Sequence, residues 1–328
     1  MESWLLWGTR VIQSVQALGN PALDALFKAI TFVGDEKFAL LVVPFLYWSL
    51  NKALAVRAAF LYLGSAYVNT ALKALFAVPR PSATSVRVLE SVEGYSFPSG
   101  HAQTATTVWG YLATQIRQRW FQAVAVVLII LVGLSRVYLA VHFPTDVLAG
   151  WLIGAVLLWA SLKVEPIFIG WFKHQSQVSQ YLIVLATSLG IIFLGWLIRL
   201  LFSAWELPAE WILNASSAFP EEPPLDPFRL SGLVTAAGSF LGLTSGAIYL
   251  VNRGGWSTQG SPMQLAARYI IGVVGVLVIY IGLDLLFPDG EDLVAFCFRY
   301  IRYALVGLWV SALAPLIFRR IRLAVNLP

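Results

Sequence analysis

The sequence predicts an all-α, polytopic membrane helix bundle of about nine transmembrane helices, preceded by interfacial helices at the N-terminus. Three observations lead there. Of 328 residues, 59% are hydrophobic and 12% charged, whereas a soluble globular chain carries roughly a quarter charged residues. Apolar runs close to the about 20 residues that cross a hydrocarbon core recur along the chain. Bases and acids also segregate into alternate connections, as the two sides of a membrane require.

Each element follows in order. Residues 4–18 place Trp4, Trp7, Val11, Val15 and Leu18 on one helical face, with Arg10, Gln13 and Ser14 away from it. Asn20-Pro21 then restarts a helix as cap and first residue, with Leu23, Leu26, Phe27 and Ile30 at helical spacing. Neither segment makes a span, and both read as interfacial helices with Trp at headgroup level. No cleaved secretion signal is read at the N-terminus, since Arg10 is its only early base and no cleavage site follows.

Spans follow at 37–50, 53–78, 101–116, 120–140, 146–164, 178–202, 230–251, 267–287 and 293–317. A Pro- and acid-rich stretch from Ser203 to Arg229, holding Glu206, Glu210, Glu221, Glu222 and Asp226, reads as a solvent-exposed loop. One set of connections carries Lys52, Arg57, Arg117, Arg119, Lys163, Lys173, Arg253, Arg268, Arg319, Arg320 and Arg322. The opposite set carries Glu90, Glu93, the 206–226 acids, Asp289, Glu291 and Asp292. The positive-inside rule makes the first set cytoplasmic, so the N-terminus lies outside and the C-terminus inside, in a plasma (inner) membrane. The net charge of +5 then reflects cytoplasmic loops, and no nucleic-acid partner is expected. The single Cys297 excludes an internal disulfide and a cysteine-rich metal site.

Three segments break the apolar pattern on the outer side. Lys73 and Arg80-Pro81 close the second span, Pro98-Ser99-Gly100-His101 opens the third, and Ser135-Arg136, His142 and Asp146 bridge the fourth and fifth. Ionisable groups at membrane depth are costly and mark function. Their types suit phosphoryl transfer, which consists largely of holding and neutralising phosphate oxygens. Lys73, Arg80 and Arg136 supply three cations, the arginines in a two-pronged geometry. Ser99 and Gly100 sit at a helix start, where free N–H groups favour an anion and glycine lets the backbone come close. His142 is the candidate nucleophile, because Asp146 four residues on shares its face if the helix starts near His142, and can hold one ring N–H. His101 lies beside the anion site and suits the acid that protonates the leaving alkoxide.

These three spaced segments resemble the signature of the type 2 phosphatidic acid phosphatase (PAP2) superfamily, which includes glucose-6-phosphatase and vanadium haloperoxidases. Every signature position is filled, over roughly residues 37–164. The resemblance implies a phosphohistidine on His142, leaving-group protonation by His101, and no metal or other cofactor. It also implies that Lys73, Arg80, Ser99, Gly100 and Arg136 bind phosphate and that Asp146 partners His142. The chain then divides into N-terminal interfacial helices (1–36), a PAP2-like catalytic helix core (37–164) and C-terminal spans without a recognised motif (165–328).

The expected activity is hydrolysis of a phosphomonoester or diphosphate, with a lipid phosphate substrate: phosphatidate, phosphatidylglycerol phosphate, a polyprenyl diphosphate or a sphingoid-base phosphate. A sugar phosphate is the alternative, since the nine-span count, the outside N-terminus and the run from Ser135 to Pro144 are similar to the glucose-6-phosphatase branch. Vanadate-dependent haloperoxidation is a weaker rival. A serine hydrolase is disfavoured, because Ser99 is flanked by Phe97 and His101 where a nucleophile elbow has glycines. A transporter is disfavoured because the ionisable groups cluster near one face. Arg199 reads as interfacial and His174 as solvated, while Asp284, one turn from Phe287-Pro288, stays open between the outer interface and a functional group. Glycines at 150 and 154, and at 238, 242 and 246, permit close helix contact within the chain or across a homo-oligomer seam.

Overall fold

A computed structural model describes residues 3–92, 94–201, 229–288 and 290–324. The expected acidic loop between Ser203 and Arg229, together with Glu93 and Asp289, therefore lies outside the described residues. Within them every regular element is a helix. They are α1 (Ser3–Gln16), α2 (Pro21–Phe32), α3 (Glu36–Phe45, continued by a π turn over Leu46–Leu50), α4 (Lys52–Phe76), α5 (Gly100–Gln115) and α6 (Arg119–Tyr138). Then come α7 (Pro144–Lys173), α8 (Gln177–Leu201), α9 (Ser231–Val251), α10 (Pro262–Asp284), α11 (Leu293–Leu308, with a π turn over Trp309–Leu313) and α12 (Ala314–Arg320).

Six segments are long and apolar enough to cross a membrane: α6, α7, α8, α9, α10 and the continuous run Leu293–Arg320. The other three expected spans are helical but differ in character. The apolar run Lys37–Leu50 is short, α5 has 16 residues, and α4 does not qualify despite its 25. Lys37–Leu50 and α5 fall short in length, and polar side chains lower the hydropathy of α4. Ser65 and Asn69 on α4 and Gln103 and Thr104 on α5 are all buried, so these two helices spend core positions on polar groups.

The chain forms two compact units. Among the described residues the first is built from 3–39, 64–163 and 198–201, and the second from 40–63, 164–197 and 229–324. In the first, a buried polar ladder joins α4 to α5. Asn69 Nδ2 donates to Gln103 Oε1 (3.1 Å) and to the Pro98 carbonyl (3.1 Å), and Gln103 Nε2 donates to the Ser65 carbonyl (2.8 Å). Helix α7 presses its glycines onto α5: a Cβ on Gly150 would stand 2.6 Å from the Ser99 carbonyl oxygen, and one on Gly154 2.5 Å from that of Gln103.

The N-terminal helices are part of this unit's core. Ile12 is fully buried in a cluster with Val137, Phe143 and Val147, and Trp4 meets Phe143 edge-on with ring centroids 6.0 Å apart. The buried stripe of α1 therefore runs through Gly8 and Ile12, one position round from the Trp7–Leu18 face. Gln13, read as outward, donates to the Ser85 carbonyl (2.9 Å), and Gln16 donates to those of Arg87 (2.7 Å) and Tyr138 (2.8 Å). Backbone carbonyls of neighbouring loops satisfy those amides, which hydropathy alone assigns to water. Asn20 caps α2 as expected, accepting from the Leu23 N–H at 3.0 Å.

In the second unit α9 and α11 are in close contact. Cβ atoms on Gly238, Gly242 or Gly246 would collide with Tyr300, Ala304 and Ser311 respectively, so the four-residue glycine repeat serves packing within the chain. Asp284, at the end of α10, pairs with Arg302 of α11, whose guanidinium also lies over the rings of Tyr280 and Tyr303.

Candidate active site

The first unit brings the three polar segments together through the turn between α6 and α7. Ala140 adopts a left-handed φ of 56°. The chain thereby turns back so that the N–H groups of both Val141 and His142 reach the Arg136 carbonyl, each at 3.2 Å. Arg136 and His142 are thus tied by their backbones. Pro144 then starts α7, where its missing N–H costs nothing.

His142 sits just before that helix rather than within it. Its pairing with Asp146 arises differently from the shared helical face the sequence predicts. Asp146, in the first turn of α7, reaches back so that Oδ2 accepts from the Phe143 N–H at 2.8 Å, lies 3.5 Å from His142 Nδ1, and accepts from Ser96 Oγ at 2.5 Å. Ser96 Oγ is also 3.4 Å from His142 Nδ1. Serine and carboxylate together hold the Nδ1 edge and leave Nε2 facing Arg80, whose Nη1 stands 3.4 Å away.

Arg80 is fixed by donating to the carbonyls of Gly94 (2.9 Å, from Nε) and Val141 (2.6 Å, from Nη1). His142 and Asp146 are essentially inaccessible, at 1% and 0% exposure. Burial, followed by the charges of Arg80, Lys73 and Arg136, pushes the His142 imidazole well below its ordinary pKa, so the ring rests neutral. Lys73, near the end of α4, carries no hydrogen bond that the described residues define, but the charges of Arg80, Arg136 and Asp146 act on it directly. Those of Arg136, Lys73 and Arg80 act on His101, and His101 in turn acts on His142. The predicted cations and imidazoles share one electrostatic neighbourhood.

The start of α5 closes this cluster. Ser99 is the N-cap of α5, yet its side chain makes no cap bond; its N–H donates to the Asp146 carbonyl at 3.0 Å. Gly100 abuts α4, where a Cβ would approach Asn69 Oδ1 to 2.8 Å, so glycine is needed there for helix contact. Several buried donors and acceptors lack a partner among the described residues: Ser99 Oγ, His101 Nε2, and Arg136 Nε and Nη2. Such atoms each cost free energy when left unpaired. Beside the cations of Lys73 and Arg80, such donors could hydrogen-bond an anion.

Sequence reasoning missed Ser96, Glu90 and Thr31. Ser96 links His142 and Asp146 as described. Glu90 Oε2 pairs with Arg136 Nη1 at 2.7 Å, and the Thr31 hydroxyl, at the end of α2, accepts from the same Nη1. Glu90 was read only as one of the outer-loop acids. No local pattern marks Ser96 or Thr31, because their partners lie 46 and 105 residues away.

Comparison with known proteins finds two matching family models. Residues 54–169 match the PAP2 superfamily and residues 234–326 the PAP2 superfamily phosphatase, transmembrane extension. The chain is 27% identical over 191 residues to lipid phosphate phosphatase delta of Arabidopsis thaliana, covering 53% of this chain and 46% of that protein, so it spans less than half of that relative's length. It is 25% identical over 331 residues to human sphingosine-1-phosphate phosphatase 2, covering 90% of this chain and 77% of the relative. It is also 29% identical over 276 residues to bovine glucose-6-phosphatase 3, covering 74% and 75%.

Proposed function

The chain belongs to the PAP2 superfamily of phosphatases, and from that premise we propose that it hydrolyses a lipid phosphate through a phosphohistidine on His142. One observation carries the reading: a buried imidazole held on its Nδ1 edge by Asp146 and Ser96, with Nε2 turned toward Arg80. The phosphate enters as a dianion. Lys73, Arg80 and Arg136 neutralise its oxygens, aided by the Ser99 hydroxyl and the free N–H groups at the start of α5.

His142 Nε2 forms a bond to phosphorus as the bond to the ester oxygen breaks, and His101 gives that oxygen its proton. Asp146 stabilises the positive charge that develops on the ring. His101 then takes a proton from water, the resulting hydroxide attacks phosphorus, and the P–N bond breaks to release inorganic phosphate. No step calls for a metal.

A lipid is favoured by the flanks of the cluster. Leu75 and Phe76 beside Lys73, Leu134 beside Arg136, and Leu148 and Leu152 beyond Asp146 are all exposed. In a bilayer these side chains face the hydrocarbon, where the tails of a lipid phosphate also lie. The nine-span topology, with the site on the non-cytoplasmic face and the C-terminus cytoplasmic, belongs to the same proposal. It rests on the segregation of bases from acids. The second reading, a soluble sugar phosphate, draws on the likeness to a glucose-6-phosphatase. The two separate in one assay of the purified protein: phosphate release from detergent-dispersed lipid phosphates against sugar phosphates. Lipid phosphates turned over at least about tenfold better in kcat/KM would match the proposal, and a preference for glucose 6-phosphate would replace it. Chelators should leave release unchanged, and vanadate, a phosphate mimic, should suppress it.

A further inference from the structure

Arg136 is wholly buried, yet only one of its three nitrogens is engaged. Nη1 donates to the Thr31 hydroxyl and to Glu90 Oε2 at 2.7 Å, which uses both of its N–H bonds. Among the described residues Nε and Nη2 have no hydrogen-bond partner, and both atoms are shut away from solvent. These two atoms form one edge of the guanidinium, the edge whose parallel N–H bonds match two oxygens of a phosphate.

We propose that Thr31 and Glu90 are positioning residues, which grip Arg136 by Nη1 and thereby present its Nε–Nη2 edge to the substrate's phosphate. The inference rests on the phosphatase reading above and extends it beyond the signature segments. Thr31 lies at the end of α2, before the stretch matched by the PAP2 superfamily. Glu90 lies in the connection between the first two segments, at a position none of them includes. Without the grip, a buried guanidinium on a flexible stem would turn to satisfy its own donors elsewhere, and its planar fork would no longer be preset. Gly34, two residues after α2, stands where a Cβ would meet the His101 ring at 3.0 Å. The N-terminal segment therefore walls the cluster at two places.

The test reads anion binding separately from turnover. Vanadate affinity is measured by calorimetry on the purified full chain in detergent, with phosphate release followed in parallel. Losing a charge-assisted hydrogen bond that orients the fork, Glu90→Ala should weaken vanadate about tenfold, and Thr31→Val by less. Glu90→Gln keeps an acceptor oxygen in place and should recover most of the affinity. In an Arg136→Ala background the same substitutions should change vanadate affinity little, since they act through Arg136. Unchanged affinity in Glu90→Ala and Thr31→Val, or an equal loss with and without Arg136, would overturn the proposal. A wild-type chain that binds vanadate but releases phosphate from no ester would remove the phosphatase reading and leave the grip standing. A wild-type chain that binds no vanadate would overturn the grip.

Discussion

Arg136 in the first unit and Arg268 in the second are both shut away from solvent, at 0% and 1% exposure, but their surroundings differ. Arg268 is saturated by backbone. It donates to the carbonyls of Leu323 (2.8 and 2.6 Å), Thr258 (2.8 Å) and Gln259 (2.7 Å), with a longer contact to Trp48, and it lies over the Trp256 ring. Arg136 leaves two nitrogens unpaired beside other cations and two imidazoles. A buried charge whose every donor is used pins chain segments together, whereas one with donors to spare holds room for an anion.

The largest expected effect tests the first unit at its centre. His142→Ala should lower phosphate release by at least about a thousandfold, as removal of a covalent nucleophile does, while the protein still inserts and folds. Wild-type release from purified His142→Ala would break the contrast at once.

The paired arginines come next. Arg136→Ala should cost roughly a hundredfold or more in kcat/KM, the usual scale for a lost oxyanion donor, with little change in Tm. Arg268→Ala should do the reverse, destabilising by about 3 kcal/mol or more through orphaned carbonyls, with turnover per folded molecule retained. Thermal unfolding and phosphate release on both variants decide it, and a matching loss of stability would erase the distinction.

A pH profile sharpens it further. Burial and neighbouring cations depress the His142 pKa, so its neutral, nucleophilic form persists as pH falls. The acid limb of kcat/KM should therefore lie below the ordinary histidine value of 6.5. Arg80→Gln removes one depressing charge and should move the limb to higher pH; comparing the two profiles on one substrate cancels the substrate's own titration. The smallest effects are at helix glycines, one in each unit. Gly242→Ala, colliding with the Ala304 carbonyl, should destabilise by about 1–3 kcal/mol. Gly64→Ala, with open space around it, should be neutral or stabilise by up to about 1 kcal/mol.

Composition and apolar run length determined by themselves that the chain is helical and membrane-spanning in character, and order and spacing singled out Lys73, Arg80, Ser99, Gly100, His101, Arg136, His142 and Asp146. Those features are local, carried by residue type at short intervals. Tertiary structure decided what they touch. Ser96 against His142 and Asp146, and Thr31 and Glu90 against Arg136, are contacts between segments separated by 46 to 105 residues. Only folded loops set such distances. It also decided that α1 and α2 join the core, because a glutamine counted as polar in a sequence is indifferent to whether water or a neighbouring carbonyl satisfies its amide.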